Sequence, residues 1–498
     1  MLASVRSAVL RGVDGQLVTV EVHVSRGLPG YTVVGLPDAA GRESRERVRA
    51  AYMSCGFEWP QKRVTVNLAP ADVRKTGSAL ELAVAVSVMA ADELLPADAL
   101  DGLAILGELG LDGRVRSVPG VLVLIDALAY AGVGRVIVPL ANAAEAALVP
   151  NIEVRPARTL AELRACLKAE CPWPDVPPSP PATNPCDDDP VDLCEVRGLP
   201  IAQHALAIAA AGAHHLLFVG SPGVGKTMLA RRLPTILPPL ARDEALEVTK
   251  IRSAAGLGST GVLCTARPFR APHHSATMPA LIGGGSPQVR PGEISLSHRG
   301  SLFLDELAEF PPPVLDALRQ PLEERVVRVS RAAGTFEFPA DFLLVACCNP
   351  CPCGRPDPKC MCTDMQRARY LRRLSAPLMD RFDLRLEVGA SDPDAAAGEE
   401  SEVVAARVAA ALARQQHRYM ETPWRRNAHV AGGALPVFMP LDRDVESAWR
   451  ALCRTRRLSG RGAARVRRVA RTIADLDERP DVTADDIELA GMLREDVR

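Results

Sequence analysis

The chain has almost no net charge: 59 lysines and arginines face 60 aspartates and glutamates over 498 residues, a balance of −1. Bulk electrostatics therefore predict no nucleic-acid partner, and any such contact must come from a local basic surface. The chain also lacks any uninterrupted apolar stretch approaching about 18 residues, which excludes a helical membrane span. The opening residues, MLASVRSAVLRGVDG, have no long apolar core and meet Asp14 early, so they do not read as a secretory signal. Aromatic residues are scarce at 4%, yet 47% hydrophobic and 24% charged residues make this the composition of a soluble globular protein. The length exceeds one ordinary core, and two to four domains are expected. With no export signal, the 13 cysteines imply a reducing cytoplasm. Clustered thiols there bind metal more often than they form disulfides.

What the chain does contain is ordered along its length. Residues 1–168 mix short β-like runs with helices: GQLVTVEVHVSRG alternates, SALELAVAVSVMAADELL reads as a buried helix, and GVGRVIVPLANAAEAALV as a strand then a helix. Residues 169–195 include PWPDVPPSPPATNPCDDDP, which can join neither sheet nor helix and reads as an extended linker. From 196 to 390 the pattern is strand, glycine loop, helix. HLLFVG, GSLFLDE and DFLLVACCN are nearly unbroken apolar runs, as expected for parallel strands buried on both faces. Residues 391–498 are rich in Ala, Arg and Leu at helical spacing and predict a helical domain. The fold class expected is multidomain α/β.

The sharpest signal is Gly220-Ser221-Pro222-Gly223-Val224-Gly225-Lys226-Thr227, a full phosphate-binding loop between a strand and a helix. Its glycines let backbone N–H groups close on phosphate oxygens at a helix N-terminus. Lys226 would neutralise the outer phosphates of ATP, and Thr227 would coordinate Mg²⁺. In SLFLDE, Asp305 is placed to hold the Mg²⁺ shell and Glu306 to deprotonate the attacking water. Adjacent Asp and Glu point to hydrolysis, because binding alone needs no base. Asn349 ends the next buried strand, where an amide can position water or sense the γ-phosphate. Arg381, between Asp380 and Asp383, reads either as a surface ion pair or as an arginine finger reaching a neighbour's ATP. The finger reading requires a ring or filament.

In this order these motifs resemble the AAA+ ATPases. The phrases FRAPHHSATMPALIGGG, PGEISLSHRGSLFLDEL, NPCPCG and VARTIADL, with GLPGYTVVGLPDAA near the start, resemble the magnesium-chelatase-like ATPases of the ComM/YifB type. The resemblance covers nearly the whole chain. It implies an AAA+ P-loop core, a C-terminal helical lid and a homo-oligomeric ring, expected to be a hexamer. A second sensor arginine from the lid would be Arg461 or, one turn on, Arg465. It further implies helicase-like branch migration on single-stranded or branched DNA in recombination or natural transformation, beside recombination proteins. The rival reading is an ATPase that remodels a protein partner or serves a metal chelatase. The N-terminal region resembles the Lon-protease catalytic fold, related to a ribosomal-protein fold. Ser78 falls near the nucleophile and Leu122 where the lysine base would stand. Without a base the hydroxyl is not activated, so no peptidase activity is expected.

Three basic stretches are candidates for DNA. Nine arginines and no acid lie between Arg450 and Arg471, which reads either as phosphate neutralisation or as a solvated helix face with the sensor. ERVVRVSRAAGTFEFPADF alternates about a turn like a β-hairpin. In ring helicases such a hairpin points into the pore, with Arg331 near its tip. Arg267 and Arg270 sit in a glycine-bearing insertion expected to be mobile, and His273 and His274 there read as ordinary loop histidines. Finally, six cysteines fall between Cys347 and Cys362. Cys347 and Cys348 read as small buried hydrophobes. Cys351, Cys353, Cys360 and Cys362 can satisfy tetrahedral zinc, with free thiols or a redox role as alternatives.

Overall fold

The computed structural model describes residues 1–35, 39–71, 75, 78–178, 191–258, 261–285, 288–331, 334–355, 359–389, 392 and 394–494. The first region is built on a seven-stranded mixed sheet. Its strands are β1 (Leu2–Arg11), β2 (Asp14–Ser25), β3 (Gly30–Val34), β4 (Arg63–Ala69), β5 (Leu103–Ile105), β6 (Arg135–Pro139) and β7 (Glu153–Ala157), in the spatial order β3-β4-β2-β1-β5-β6-β7. Alternation in β2 puts Val18, Val20, Val22 and Val24 into one core. The helix expected from SALELAVAVSVMAADELL is α1 (Glu81–Ala91) and is buried nearly all round. Its lone acid, Glu81, is fork-bonded by Arg47 at 2.7 and 2.9 Å. It also accepts the backbone N–H of Leu109 at 3.0 Å, so the carboxylate is not left unpaired inside the core. Helix α2 (Val121–Tyr130) covers the other side of the sheet.

The middle region is a five-stranded parallel sheet. Its strands are β8 (Leu216–Val219), β9 (Phe269–Arg270), β10 (Ser301–Leu304), β13 (Leu343–Cys348) and β14 (Leu384–Glu387), in the order β9-β10-β13-β8-β14. Between β10 and β13 the chain makes an antiparallel hairpin of β11 (Val326–Arg331) and β12 (Gly334–Pro339). The unbroken apolar runs have the expected cause. In β13, Leu343, Val345 and Cys347 join one hydrophobic cluster, and Leu344, Ala346 and Cys348 join another on the opposite face. The first face is covered by the alanine-rich α3 (Pro200–Gly212), by α4 (Lys226–Ile236), and by helices from the end of the chain.

Those C-terminal helices are α7 (Ser401–Arg418), α8 (Arg443–Thr455), α9 (Gly460–Leu476) and α10 (Ala484–Met492), with α5 (Arg242–Ala255) and the short α6 (Arg319–Glu324) lying earlier in the chain. Val404, Val408, Val466, Val469 and Ile473 share one cluster with Phe218 and Val345, so the helical region is continuous with the face of the parallel sheet. A buried polar seam reinforces this junction. Asp383 lies 2.9 Å from Arg465 Nε and 3.3 Å from His214 Nδ1, and the other ring nitrogen of His214 lies 2.8 Å from Thr472 Oγ1. Burial works against the Asp383 anion, but the His214 bond and the Arg465 charge outweigh it and hold its pKa well below the usual carboxylate range.

Of the linker expected over 169–195, residues 179–190 lie outside the described residues. Each described flank makes a contact with the region beside it. Trp173 sits under Arg155 at 5.1 Å. Downstream, a turn of 3₁₀ helix at Leu193–Glu195 buries Leu193, and Asp192 accepts the N–H of Ser401. The N-terminal region docks on the middle region. Helix α2 meets α5 through Lys250–Asp126 at 2.6 Å, while Ser253 donates to the buried Glu145 at 2.5 Å and accepts the N–H of Gly120 through its carbonyl. The half-exposed ion pair adds at most about 1 kcal/mol. The buried bond to a carboxylate, about 1.5–3 kcal/mol, is the stronger tie.

Candidate active site

Strand β8 runs straight into the phosphate-binding loop, and α4 starts at Lys226. Gly223 and Gly225 have φ of 83° and 94°, a left-handed geometry that a side chain would resist, so the loop can fold tightly with its amides turned inward. Lys226 is buried, and its ammonium donates to the carbonyls of Gly220 at 2.7 Å and Ser221 at 2.8 Å. Asn349 Oδ1 accepts from the same ammonium at 3.3 Å. Burial lowers the Lys226 pKa, and nearby acids including Asp305 and Glu306 push it back up. Thr227 Oγ1 donates to Asp305 Oδ2 at 2.8 Å. Strands β8, β10 and β13 are the three interior strands, so motifs separated by 78 and 123 residues converge at their carboxyl ends. A Thr hydroxyl beside an Asp carboxylate is a hard oxygen pair of the kind Mg²⁺ takes, and a lysine among backbone amides suits a polyphosphate.

Glu306 has φ 51° and ψ 47°, a left-handed conformation uncommon for a residue with a side chain. Its N–H donates to Asp305 Oδ1 at 2.9 Å. Its carboxylate is half exposed and lies 3.1 Å from His274 Nδ1. His274 stacks at 4.0 Å on His273 and meets Phe310 edge-on. The two histidines therefore are not bystanders, as the sequence suggested: one of them holds the carboxylate expected to act as base. Nothing in the sequence signals this, because His274 comes from the loop after β9 and Glu306 from the turn after β10.

Arg381 does not approach Lys226. Its guanidinium donates to the Pro377 carbonyl at 2.8 Å and pairs with Glu323 of α6. Arg461, from the start of α9, reaches the same carboxylate at 3.8 Å and is 68% exposed. Arg465, the other candidate sensor, is held by Asp383 inside the seam. Two arginines expected at a nucleotide thus share one face of the chain, on Glu323.

The basic stretches divide. Arg331 is exposed at the end of β11 opposite Gly334, and the turn residues 332–333 lie outside the described residues. The hairpin rests on the N-terminal region: Arg11 covers Phe336 at 5.8 Å, and a Cβ at Gly12 would touch Phe338 at 3.3 Å. Arg267 and Arg270, expected on a mobile DNA-facing loop, are instead structural. Arg267 is 10% exposed and donates to Pro238, Arg299 and Glu244. Arg270 lies in edge strand β9 and forks onto Glu293 at 2.6 and 2.7 Å. The arginine run splits: Arg450, Arg454, Arg456, Arg457 and Arg461 are exposed, as on a solvated helix face, while its later members are not. Arg467, Arg468 and Arg471 turn inward and donate to the carbonyls of Met439, Val430, Arg479 and Pro480. They act as staples between helices.

Cys347 and Cys348 are buried, as expected, and burial pushes the Cys348 thiol up to about 12. Cys351, Cys353, Cys360 and Cys362 gather within 4.8 Å of one another. In the N-terminal region Ser78 donates to Glu108, and Leu122 is fully buried in α2.

Comparison with known proteins agrees with this geometry. The family model for magnesium chelatase, subunit ChlI, matches residues 192–396, its C-terminal model 398–494, and a further ChlI model 20–142. An uncharacterized protein of Mycobacterium tuberculosis is 44% identical over 98% of both chains. The uncharacterized protein YifB of Salmonella typhimurium is 42% identical over 96% of this chain and 94% of its own. The competence protein ComM of Haemophilus influenzae is 42% identical over 95% and 94%. An uncharacterized MCM-type protein of Methanocaldococcus jannaschii is 27% identical over 34% of this chain and 21% of its own. Among the described residues no helix is long and apolar enough to cross a membrane.

Proposed function

The chain belongs to the magnesium-chelatase-like AAA+ ATPases of the ComM and YifB type, and on that premise we propose that it is a ring-forming DNA motor. It hydrolyses ATP with Mg²⁺ and uses the energy to translocate along or remodel DNA. The reaction is branch migration or unwinding of single-stranded or forked DNA in recombination or natural transformation. The observation that carries the ATPase part is the convergence of Lys226, Thr227, Asp305 and Asn349 within hydrogen-bond reach. The DNA part is supported by the likeness to the competence protein ComM, by the partial MCM-type match, and by the exposed Arg331.

In this reading the amides of 220–227 and Lys226 bind the phosphates, and Thr227 with Asp305 holds Mg²⁺. The metal, when bound, offsets charge on the β- and γ-oxygens. Glu306 takes the proton of the attacking water, with His274 fixing where its carboxylate points. Asn349 orients the water or senses the γ-phosphate. Arg381 and Arg461 leave Glu323 for the γ-phosphate of the neighbouring subunit, which a closed six-membered ring supplies to every site. The N-terminal region serves as a scaffold or substrate-handling element; Ser78 faces a carboxylate rather than a lysine, so no peptidase chemistry is assigned.

The test is migration of a labelled three-stranded DNA junction by the purified chain. Wild type should move the branch with ATP and Mg²⁺, and Glu306→Gln should bind ATP without moving it. If ATP is hydrolysed while no DNA substrate is moved, and a protein partner raises turnover, the chain remodels protein instead.

A further inference from the structure

The four-cysteine loop lies against the nucleotide site, and its geometry goes beyond what hydrolysis needs. We propose that Cys351, Cys353, Cys360 and Cys362 form a tetrathiolate Zn²⁺ site that fixes the wall of the phosphate-binding loop.

The sulfur positions carry the metal half. A tetrahedral ion with Zn–S bonds of about 2.3 Å places its sulfurs about 3.8 Å apart. Here Cys351 Sγ lies 3.4 Å from Cys353 Sγ and 3.5 Å from Cys360 Sγ, and the last two are 3.6 Å apart. The fourth, Cys362, completes a set whose atoms all fall within 4.8 Å. These separations exceed any S–S bond, and the three among Cys351, Cys353 and Cys360 are nearly equal, as ligands around one ion are. An iron–sulfur cluster would spread its ligands farther apart. On binding, the thiol protons go to solvent and four S–Zn bonds form, with no redox change.

The location carries the second half. The cluster begins two residues after Asn349, whose amide touches Lys226. Gly354, with φ 65°, packs so closely on the phosphate loop that an added Cβ would sit 2.7 Å from Pro222 Cδ and 3.5 Å from Asn349 Nδ2. The loop carrying the cysteines therefore presses on Pro222 from one side while its first residue holds Lys226 from the other. Few buried apolar side chains lie in this segment to hold it: among its described residues from 351 to 362 only Cys351 and Gly354 are buried. A metal supplies the missing constraint, much as in small domains without a core. All four positions are taken by protein, so the ion is structural and has no open site for substrate.

The metal half stands whatever the chain hydrolyses; the coupling half rests on the ATPase reading. Elemental analysis of the purified full chain should give one zinc per chain, and Co²⁺ exchanged in its place should show the visible bands of a tetrahedral tetrathiolate. Cys360→Ser with Cys362→Ser should lose the metal. Its removal should weaken binding of a fluorescent ATP analogue about fivefold or more, within the range of ordinary coupling between sites. If the cysteine variant does not fold, Gly354→Ala is the second probe: it should keep its zinc and still lose nucleotide affinity, because it intrudes on Pro222 and not on the sulfurs. Iron or no metal in the folded chain, or free alkylation of all four thiols, overturns the site. Stoichiometric zinc with unchanged nucleotide affinity in Gly354→Ala overturns the coupling.

Discussion

Replacing Arg381 by alanine separates a shared active site from a self-sufficient one. In the lone chain Arg381 is paired with Glu323 and does not touch the residues that would bind ATP. Glu323 is half exposed, whereas the Arg381 side chain is only 10% exposed, so water screens the pair from the carboxylate side alone. A γ-phosphate arriving from a neighbour must draw the arginine outward as well as away from Glu323. An arginine finger is worth roughly 10³–10⁵ in turnover, about 4–7 kcal/mol of transition-state stabilisation. Arg381→Ala should therefore lower kcat by at least a thousandfold with little change in ATP binding, whereas Glu323→Gln, which removes only the resting partner, should change kcat by no more than about fivefold. The assay is steady-state phosphate release at saturating ATP, with nucleotide affinity measured separately. Mixing supplies the decisive arm. Lys226→Ala and Arg381→Ala chains are each inactive, but a random equal mixture places an intact Lys226 opposite an intact Arg381 at about a quarter of ring interfaces. Activity should return. If Arg381→Ala keeps full turnover, or if the mixture stays dead although mixed rings form, the arginine does not act across an interface.

Other outcomes follow from single contacts. Glu306→Gln should cut kcat by about 10²–10⁴ while ATP still binds, as equilibrium binding and single-turnover hydrolysis will show. His274→Ala should lower kcat about tenfold with KM for ATP unchanged, since it frees the Glu306 carboxylate without touching the phosphate loop; a change confined to KM would contradict that. Asp383→Asn leaves Arg465 buried without its partner and should destabilise by about 3–5 kcal/mol, read from denaturant unfolding. Because the folded pKa of Asp383 is depressed, its contribution is complete above the ordinary value of 3.8 and is lost as pH falls below it, so the variant should show a weaker acid limb. Arg331→Ala should reduce the salt slope of DNA binding by about one, measured by titration at several salt concentrations.

The nucleotide loop was legible because its geometry is local: glycines, a lysine and a threonine at fixed spacing dictate a strand–loop–helix turn by themselves. The buried strands and the β11–β12 hairpin were legible for a similar reason, through unbroken and alternating apolar patterns. The arginines were not. Whether Arg267 faces DNA or donates to Pro238 depends on residues 29 positions away, and Arg471 is a staple only because the chain turns back at Pro480. The contact between His274 and Glu306 was hidden too, since it joins the loop after β9 to the end of β10. The docking of α2 on α5 was invisible in a sequence that shows only a proline-rich segment between the two regions.

The central claim, an ATP-driven machine acting on DNA, is tested most directly by ATP turnover of the purified full chain with and without forked DNA at low and high salt. Turnover should rise when DNA is added, the rise should fade as salt screens the phosphates, and Lys226→Ala should abolish both. Hydrolysis that is indifferent to every DNA at low salt would contradict it.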